Sequence, residues 1–252
     1  MPGFSGQGIV SIAERLPSGL PGVFRELGNC PSFELGLTEE TVERTESMSG
    51  QRLPFRKMTR TRGGTLTLQT DEFNKANLAL AVVGSVTQVA AGTPVTNWAL
   101  PTDLQVGDIV ALPALNVAAN TLTITDSASG TAVDLVLDTH YSYDPLSAEI
   151  KILSLTGITQ PLTADFTPGG HVAVGAFQAA SKEYWVRLKG INTDTSERGV
   201  TDIFRCKINP ATALALINED FLDFDMELTV LADLTRETDD PGGQFFRFAT
   251  AA

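Results

Sequence analysis

Histidine and cysteine are scarce in this chain, two of each in 252 residues. His140 and His171 stand alone, with no HxxxH or HxH spacing and no cysteine beside them, so a zinc or transition-metal site is not expected. Cys30 and Cys206 lie far apart and match no metal spacing. In a reducing cytosol they read as two buried free thiols rather than a disulfide. No apolar run approaches the roughly 20 residues that cross a bilayer, and the opening MPGFSGQGIVSIAERLPSG lacks a signal-peptide layout. The expectation is synthesis in the cytosol and no membrane partner. GxSxG, a phosphate loop and a dinucleotide fingerprint are all missing. Gly19, Gly22, Gly169 and Gly170 are turn glycines without the strand–helix context of a phosphate cradle. Strand alternation explains the Asp223/Asp225 pair, and a Pro-Gly-Gly turn explains Asp239/Asp240. The chain therefore reads as no enzyme and as needing no cofactor. Positive charge is also short: 18 Lys and Arg stand against 30 Asp and Glu, a net −12. That balance argues against a surface that clamps phosphates, and it does not exclude a like-charged wall that repels them.

What is present is strand-forming alternation, in a length able to bury one large core or two smaller ones. Residues 1–31 combine Gly3, Gly6 and Gly8, a short alternating piece from Ile9 to Arg15, and a turn-rich LPSGLPGVF run. They read as an extended arm laid over a neighbour, or else as a frayed terminus. From Ser32 to Thr38, Phe33, Leu35 and Leu37 alternate with Glu34 and Gly36, a half-buried strand. Met48 to Met58 carries Gly50 and Pro54 and reads as a long irregular loop. Thr59 to Asp71 returns to alternation, with Leu66 and Leu68 on one face and Thr65, Thr67 and Gln69 on the other. A helix is predicted to start near Asp71 as N-cap and to pack Phe73, Ala76, Leu80 and Val83 on a sheet before Gly84 stops it.

Charge is segregated across the loop. Glu34, Glu39, Glu40, Glu43 and Glu46 precede it; Arg52, Arg56, Lys57, Arg60 and Arg62 follow within eleven residues that hold no acid. A solvated hairpin whose arms neutralise each other would account for this. The alternative is a basic tip, with Phe55, that crosses to the acidic surface of another copy. A nucleic-acid patch is the weakest of the three readings.

Between Val86 and Ser181 one base, Lys151, faces eight acids, a net of −7. Short strands with turn signals (DIVALP, NTLTIT, AVDLVL, EIKILSL) predict an all-β unit inserted over roughly 92–170. After it, Tyr184, Val186 and Leu188 alternate with Trp185, Arg187 and Lys189, and Phe204, Cys206 and Ile208 with Arg205 and Lys207. Ala211 to Ile217 reads as one or two helical turns, Phe221 to Ala232 as a strand with an acidic outer face, and QFFRFATAA as one more strand.

The order of polar strand, long loop and TLTLQTDEFNKANLALAVVG resembles the major tail tube proteins of long-tailed bacteriophages, as does FRCKINPATALALINEDFLDFDMELTVLADLT from Phe204 to Thr235. The resemblance covers about 1–85 and 171–252, and LDTHYSYDPLSAEIKIL resembles a hairpin of phage tail proteins. It implies a mainly-β, sandwich or barrel tail-tube domain over 1–91 and 171–252 with a flanking helix. It further implies hexameric rings stacked into a virion tail tube, and a lumen that conducts DNA without specific binding. The other partners implied are further tail proteins: tape measure, tail terminator and distal tail. In that reading Arg52, Phe55, Arg56, Lys57, Arg60 and Arg62 form an intersubunit loop. Two polar sets compete for the lumen. Glu34, Thr65, Thr67 and Gln69 are favoured; Asp223, Asp225, Glu227 and Thr229 have Arg187, Lys189, Arg205 and Lys207 as expected neutralising neighbours. The alternatives are a carbohydrate-binding β-sandwich or another virion surface protein. The first would want a surface row of aromatics, and Trp98 and Trp185 are far apart in sequence.

Overall fold

Alternation of apolar and polar residues builds a protein that is almost wholly β. The computed structural model describes residues 5–129, 131–179, 181–217, 219 and 223–250. In chain order its elements are β1 (Gly6–Glu14), β2 (Arg25–Glu26), β3 (Ser32–Thr45), β4 (Pro54–Thr70), α1 (Lys75–Ala81), β5 (Ser85–Val89), β6 (Val95–Ala99), β7 (Ile109–Ala111) and β8 (Thr123–Thr125). They continue with β9 (Tyr141–Asp144), β10 (Glu149–Ile152), β11 (Thr163–Phe166), β12 (His171–Gly175), β13 (Tyr184–Asn192), β14 (Arg198–Ile208), β15 (Phe224–Val230) and β16 (Phe246–Thr250). The chain divides into two units, Met1–Val86 with Val174–Ala252, and Thr87–Ala173. The sequence had suggested joints at 92 and 170. The chain passes between the units along β5 and β12, which are hydrogen-bonded to each other.

The first unit is one eight-stranded sheet in the order β2-β1-β13-β14-β15-β4-β3, with β16 also paired to β14. Its core is built from cross-strand rows: Phe33–Leu68–Met226, Leu35–Leu66–Leu228 and Gly64–Val230–Cys206, with Leu37, opposite Gly64, left exposed. Leu66, Leu228 and Cys206 are fully buried, and a Leu taken wholly out of water contributes about 1.5–3 kcal/mol. Residues 6–14 are not an arm. β1 pairs with β13 over nine residues, Gly6–Asn192 to Glu14–Tyr184, and buries Val10, Ile12 and Ala13. Its apolar alternation is enough to make it a core strand.

α1 begins later than the sequence suggested. Asn74, not Asp71, is the N-cap and accepts a hydrogen bond from the Asn77 amide at 2.8 Å. Asp71 is engaged elsewhere, by the Asn29 side chain at 2.5 Å. Phe73 thus lies outside the helix and stacks on Phe224 at 5.4 Å, while Leu80 and Val83 pack into the core. Ala76 is half-buried and outside that cluster. The buried Asn77 amide donates to the Leu27 and Glu72 carbonyls, both at 2.9 Å, which ties the helix to the β2–β3 connection. Gly84 follows because nothing larger fits: a Cβ there would lie 2.1 Å from the Gly175 carbonyl oxygen.

Two further expectations are corrected. Residues 211–217 form bends rather than helical turns; Pro210 precedes them, and the Leu216 amide bonds the Leu214 carbonyl at 3.1 Å instead of starting a helical ladder. Phe204 does not share a face with Cys206. A register shift between Tyr184 and Val186 on the β13–β14 ladder puts Ile203 into the core. Phe204 lies instead edge-on to Trp185, 5.0 Å between centroids. Phe221 and Leu222, assigned to the late strand from sequence, lie outside the described residues.

The second unit has two three-stranded sheets, β7-β10-β9 and β6-β11-β8, sharing one core that includes Ile124, Ile150, Ile152, Leu162 and Phe166. β9 and β10 pair from Tyr141–Ile152 to Asp144–Glu149, so the Tyr-Ser-Tyr-Asp and Glu-Ile-Lys-Ile segments are adjacent strands. No helix among the described residues is long and apolar enough to cross a membrane.

Candidate assembly surface

The segment that the sequence marked as a long loop is a long hairpin. β3 and β4 pair from Ser32–Gln69 out to Thr45–Pro54, and only residues 46–53 form the tip. Glu46 closes it by accepting the Met48 and Ser49 amides, both at 2.9 Å. The bond from the Ser49 hydroxyl, and then those two amides, hold its carboxyl below the usual carboxylate range. Arg52 sits in the tip at φ 51°, and Phe55, Arg56, Lys57, Arg60 and Arg62 lie on β4. Strand formation wins over the breakers because Pro54 is the first residue of β4, where its missing amide costs no ladder bond.

Pairing the arms settles most of the segregated charge internally. Lys57 meets Glu43 at 3.2 Å, Arg60 meets Glu40 at 3.7 Å and Arg62 meets Glu39 at 3.3 Å. The Thr59 hydroxyl and Arg62 keep Glu39 below its ordinary pKa. The remaining cations differ. Arg44 and Arg56 stand directly opposite each other, and neither they nor Arg52 form an ion pair among the described residues. β3 is the end strand of its sheet, so its outer edge carries unpaired backbone groups.

Nearer the core, the two polar sets that seemed to compete occupy a single face. Register places Ser32–Gln69–Asp225, Glu34–Thr67–Glu227 and Gly36–Thr65–Thr229 in three successive rows. Glu34, Thr67, Asp225 and Glu227 are exposed, and Thr65 and Gln69 half-exposed. The acids of β15 are not neutralised by the expected bases. Arg187 binds Asp202, Lys189 faces Glu26 and Arg205 binds Glu183. Of these four bases Lys207 is the one beside β15, opposite Thr229. Glu227 instead accepts from the Asn209 amide at 2.9 Å.

Another row went unseen in the sequence. Arg187, Asp202 and Arg247 stand side by side on β13, β14 and β16. Asp202 is fully buried and accepts from Trp185 Nε1 at 3.1 Å, Arg187 Nε at 2.6 Å and Arg247 Nη2 at 2.6 Å. Burial works to raise its pKa; the bonds from Arg187, Arg247 and Trp185 outweigh that and leave it below the ordinary value. Arg236 stacks over Phe204 at 3.9 Å beside it. A second buried acid, Asp233, accepts from Arg15 at 2.6 Å and from the Thr235 hydroxyl at 2.7 Å. In both clusters bases from other strands hold the acid and so fasten the strands together, while Asp233 Oδ2, Arg15 Nε and Arg247 Nε are buried without a hydrogen-bond partner among the described residues.

Residues 3–249 match the family described as "Protein of unknown function UCP028589". The chain belongs to that family. No curated protein matches it. In this member of the family no three His, Cys, Asp or Glu side chains converge among the described residues as metal ligands would. Both cysteines are free, and burial pushes the Cys206 thiol up to about 12, which keeps it protonated and unreactive. A cleft of about 520 Å³ lies where β1 and the start of β3 approach, lined by Gly6, Gly8, Cys30, Phe33, Gly190 and Phe248. Its lining mixes these groups with polar side chains, Glu34, Asn192, Glu197 and Thr201 among them.

Proposed function

We propose that this protein is a structural virion subunit, the major tail tube protein of a long-tailed phage, whose sandwich-like tail-tube domain assembles as stacked hexameric rings. The observation that carries the reading is the β3–β4 hairpin. Among the described residues it has no strand partner besides itself from Glu40 outward, and its arginines at the tip form no ion pair, on an acidic protein. A two-stranded ribbon of this kind is marginal alone in water. Resting its edge and its charge on a neighbouring copy would supply the missing partners and remove the open sheet edge.

In this assembly the face bearing Glu34, Thr67, Gln69, Asp225 and Glu227 lines the lumen. It is polar, and Lys207 at its margin is the only base in its rows. Such a wall repels a phosphate backbone and releases no counterions on contact, so DNA passes without being held. Assembly would take place in the host cytoplasm, with tape measure, terminator and distal tail proteins as further partners. The unit Thr87–Ala173 is an appendage that tube formation does not require. Negative-stain microscopy of the purified protein tests the proposal. Rings or tubes of uniform diameter are expected, and a protein that stays monomeric at every concentration and salt tried would refute it.

A further inference from the structure

The two faces of the distal hairpin are chemically unlike. Val42 stands opposite Met58 and Arg44 opposite Arg56, so these four side chains form one patch on one face. The opposite face presents Thr41–Thr59 and the Glu43–Lys57 ion pair, which satisfies itself. Val42 is 43% exposed and Met58 65%. Phe55, 68% exposed, is left without a cross-strand partner by the register shift between Arg44 and Thr45.

We infer that the hairpin docks by the Val42–Arg44–Arg56–Met58 face, and that its occupant is an acidic surface of a second copy of this chain. The inference rests on the self-assembly reading and specifies which surface performs it. Two like charges directly opposite on a ladder are unfavourable until an anion lies between them. Carboxylates are the anions that a chain of net charge −12 offers in plenty. Methionine, aromatic residues and arginine without acids are also what the centre of a protein–protein interface is made of. The six residues Glu40–Thr45 carry this face about 20 Å along the strand, with no strand but β4 paired to them among the described residues. That reach suits an arm laid across another subunit. A nucleic-acid partner is disfavoured because Phe55 is the only aromatic on this arm, and stacking on bases wants several.

The test compares two full-length variants whose changes lie on opposite faces. R44E/R56E reverses the proposed docking face. E43K/K57E exchanges the partners of the ion pair on the other face and conserves net charge. Both sets of side chains are exposed, so far-UV circular dichroism should match the wild type in each. Assembly is read by sedimentation velocity and microscopy across protein concentration, at low and high salt. The expected result is that wild type and E43K/K57E assemble within about twofold of each other. R44E/R56E should need at least about tenfold more protein, or remain monomeric. Assembly of R44E/R56E like wild type would overturn the inference while leaving the tube reading intact, as would loss of assembly in E43K/K57E alone. A wild type that never assembles would overturn both. A duplex DNA probe shifted by wild type and released by R44E/R56E, with assembly unchanged, would assign the face to nucleic acid instead.

Discussion

Removing the buried acid of the Arg187–Asp202–Arg247 row should loosen the first unit measurably. Asp202 is fully buried, and three donors converge on it at 2.6–3.1 Å. Breaking a buried ion pair costs about 3–5 kcal/mol when the orphaned charge stays buried. Here the orphans are Arg187 and Arg247, whose side chains are 33% and 39% exposed and would regain water. Trp185 Nε1 would not, and an unmet buried donor costs about 1–3 kcal/mol. Asp202→Ala should therefore destabilise by about 3 kcal/mol, and Asp202→Asn, which keeps an acceptor, by about half of that. For a domain of this size the larger loss lowers Tm by about 6–12 °C. In a Trp98→Phe background the emission of Trp185 reports this unit alone. The pH dependence has a fixed sign. The folded pKa of Asp202 is depressed, so its contribution is complete above the unfolded value of about 3.9 and fades as pH falls through the folded value. The gap between wild type and Asp202→Ala should hold from about pH 5 to 8 and narrow below about pH 4. A Tm change under about 2 °C, or a gap that widens in acid, would show that the row is incidental to stability.

Ile150 is fully buried in the second unit, so Ile150→Ala should cost about 2–5 kcal/mol. Trp98 emission should shift to lower denaturant while Trp185 emission in the first unit does not; a joint shift would show that the units unfold together. Cys206 is fully buried with its thiol pushed up to about 12. A thiol reagent should modify at most Cys30 in the native protein at pH 8 and both cysteines in denaturant, and rapid native labelling of two thiols would contradict the packing. Replacing Thr87–Ala173 with a short Gly/Ser linker should leave a folded first unit. Phe177 and Ala179 donate to the Val82 and Val83 carbonyls at 3.1 and 2.9 Å, so the ends to be joined are already held together. Loss of the Trp185 unfolding transition in that deletion would refute independent folding.

Strand positions were legible from sequence because burial on one side imposes a period of two: Phe33, Leu35, Leu66, Leu68, Met226 and Leu228 announce their faces without any partner in view. The break in composition near residues 86 and 181 likewise marked a stretch with its own charge and turn spacing. Period two gives a residue's face but not its neighbour, and the neighbours here come from far along the chain. Register alone decided that Glu39 meets Arg62 within one hairpin and that Arg44 is left facing Arg56. It also put Thr67 between Glu34 and Glu227, and Asp202 between Arg187 and Arg247. The N-terminal glycines looked like those of an arm because local propensity does not record that β13, some 180 residues later, offers nine residues of ladder. α1 is capped by Asn74 for a similar reason. Asp71 and Asn74 are equal as caps in the local sequence, and the contact of Asp71 with Asn29 chose between them.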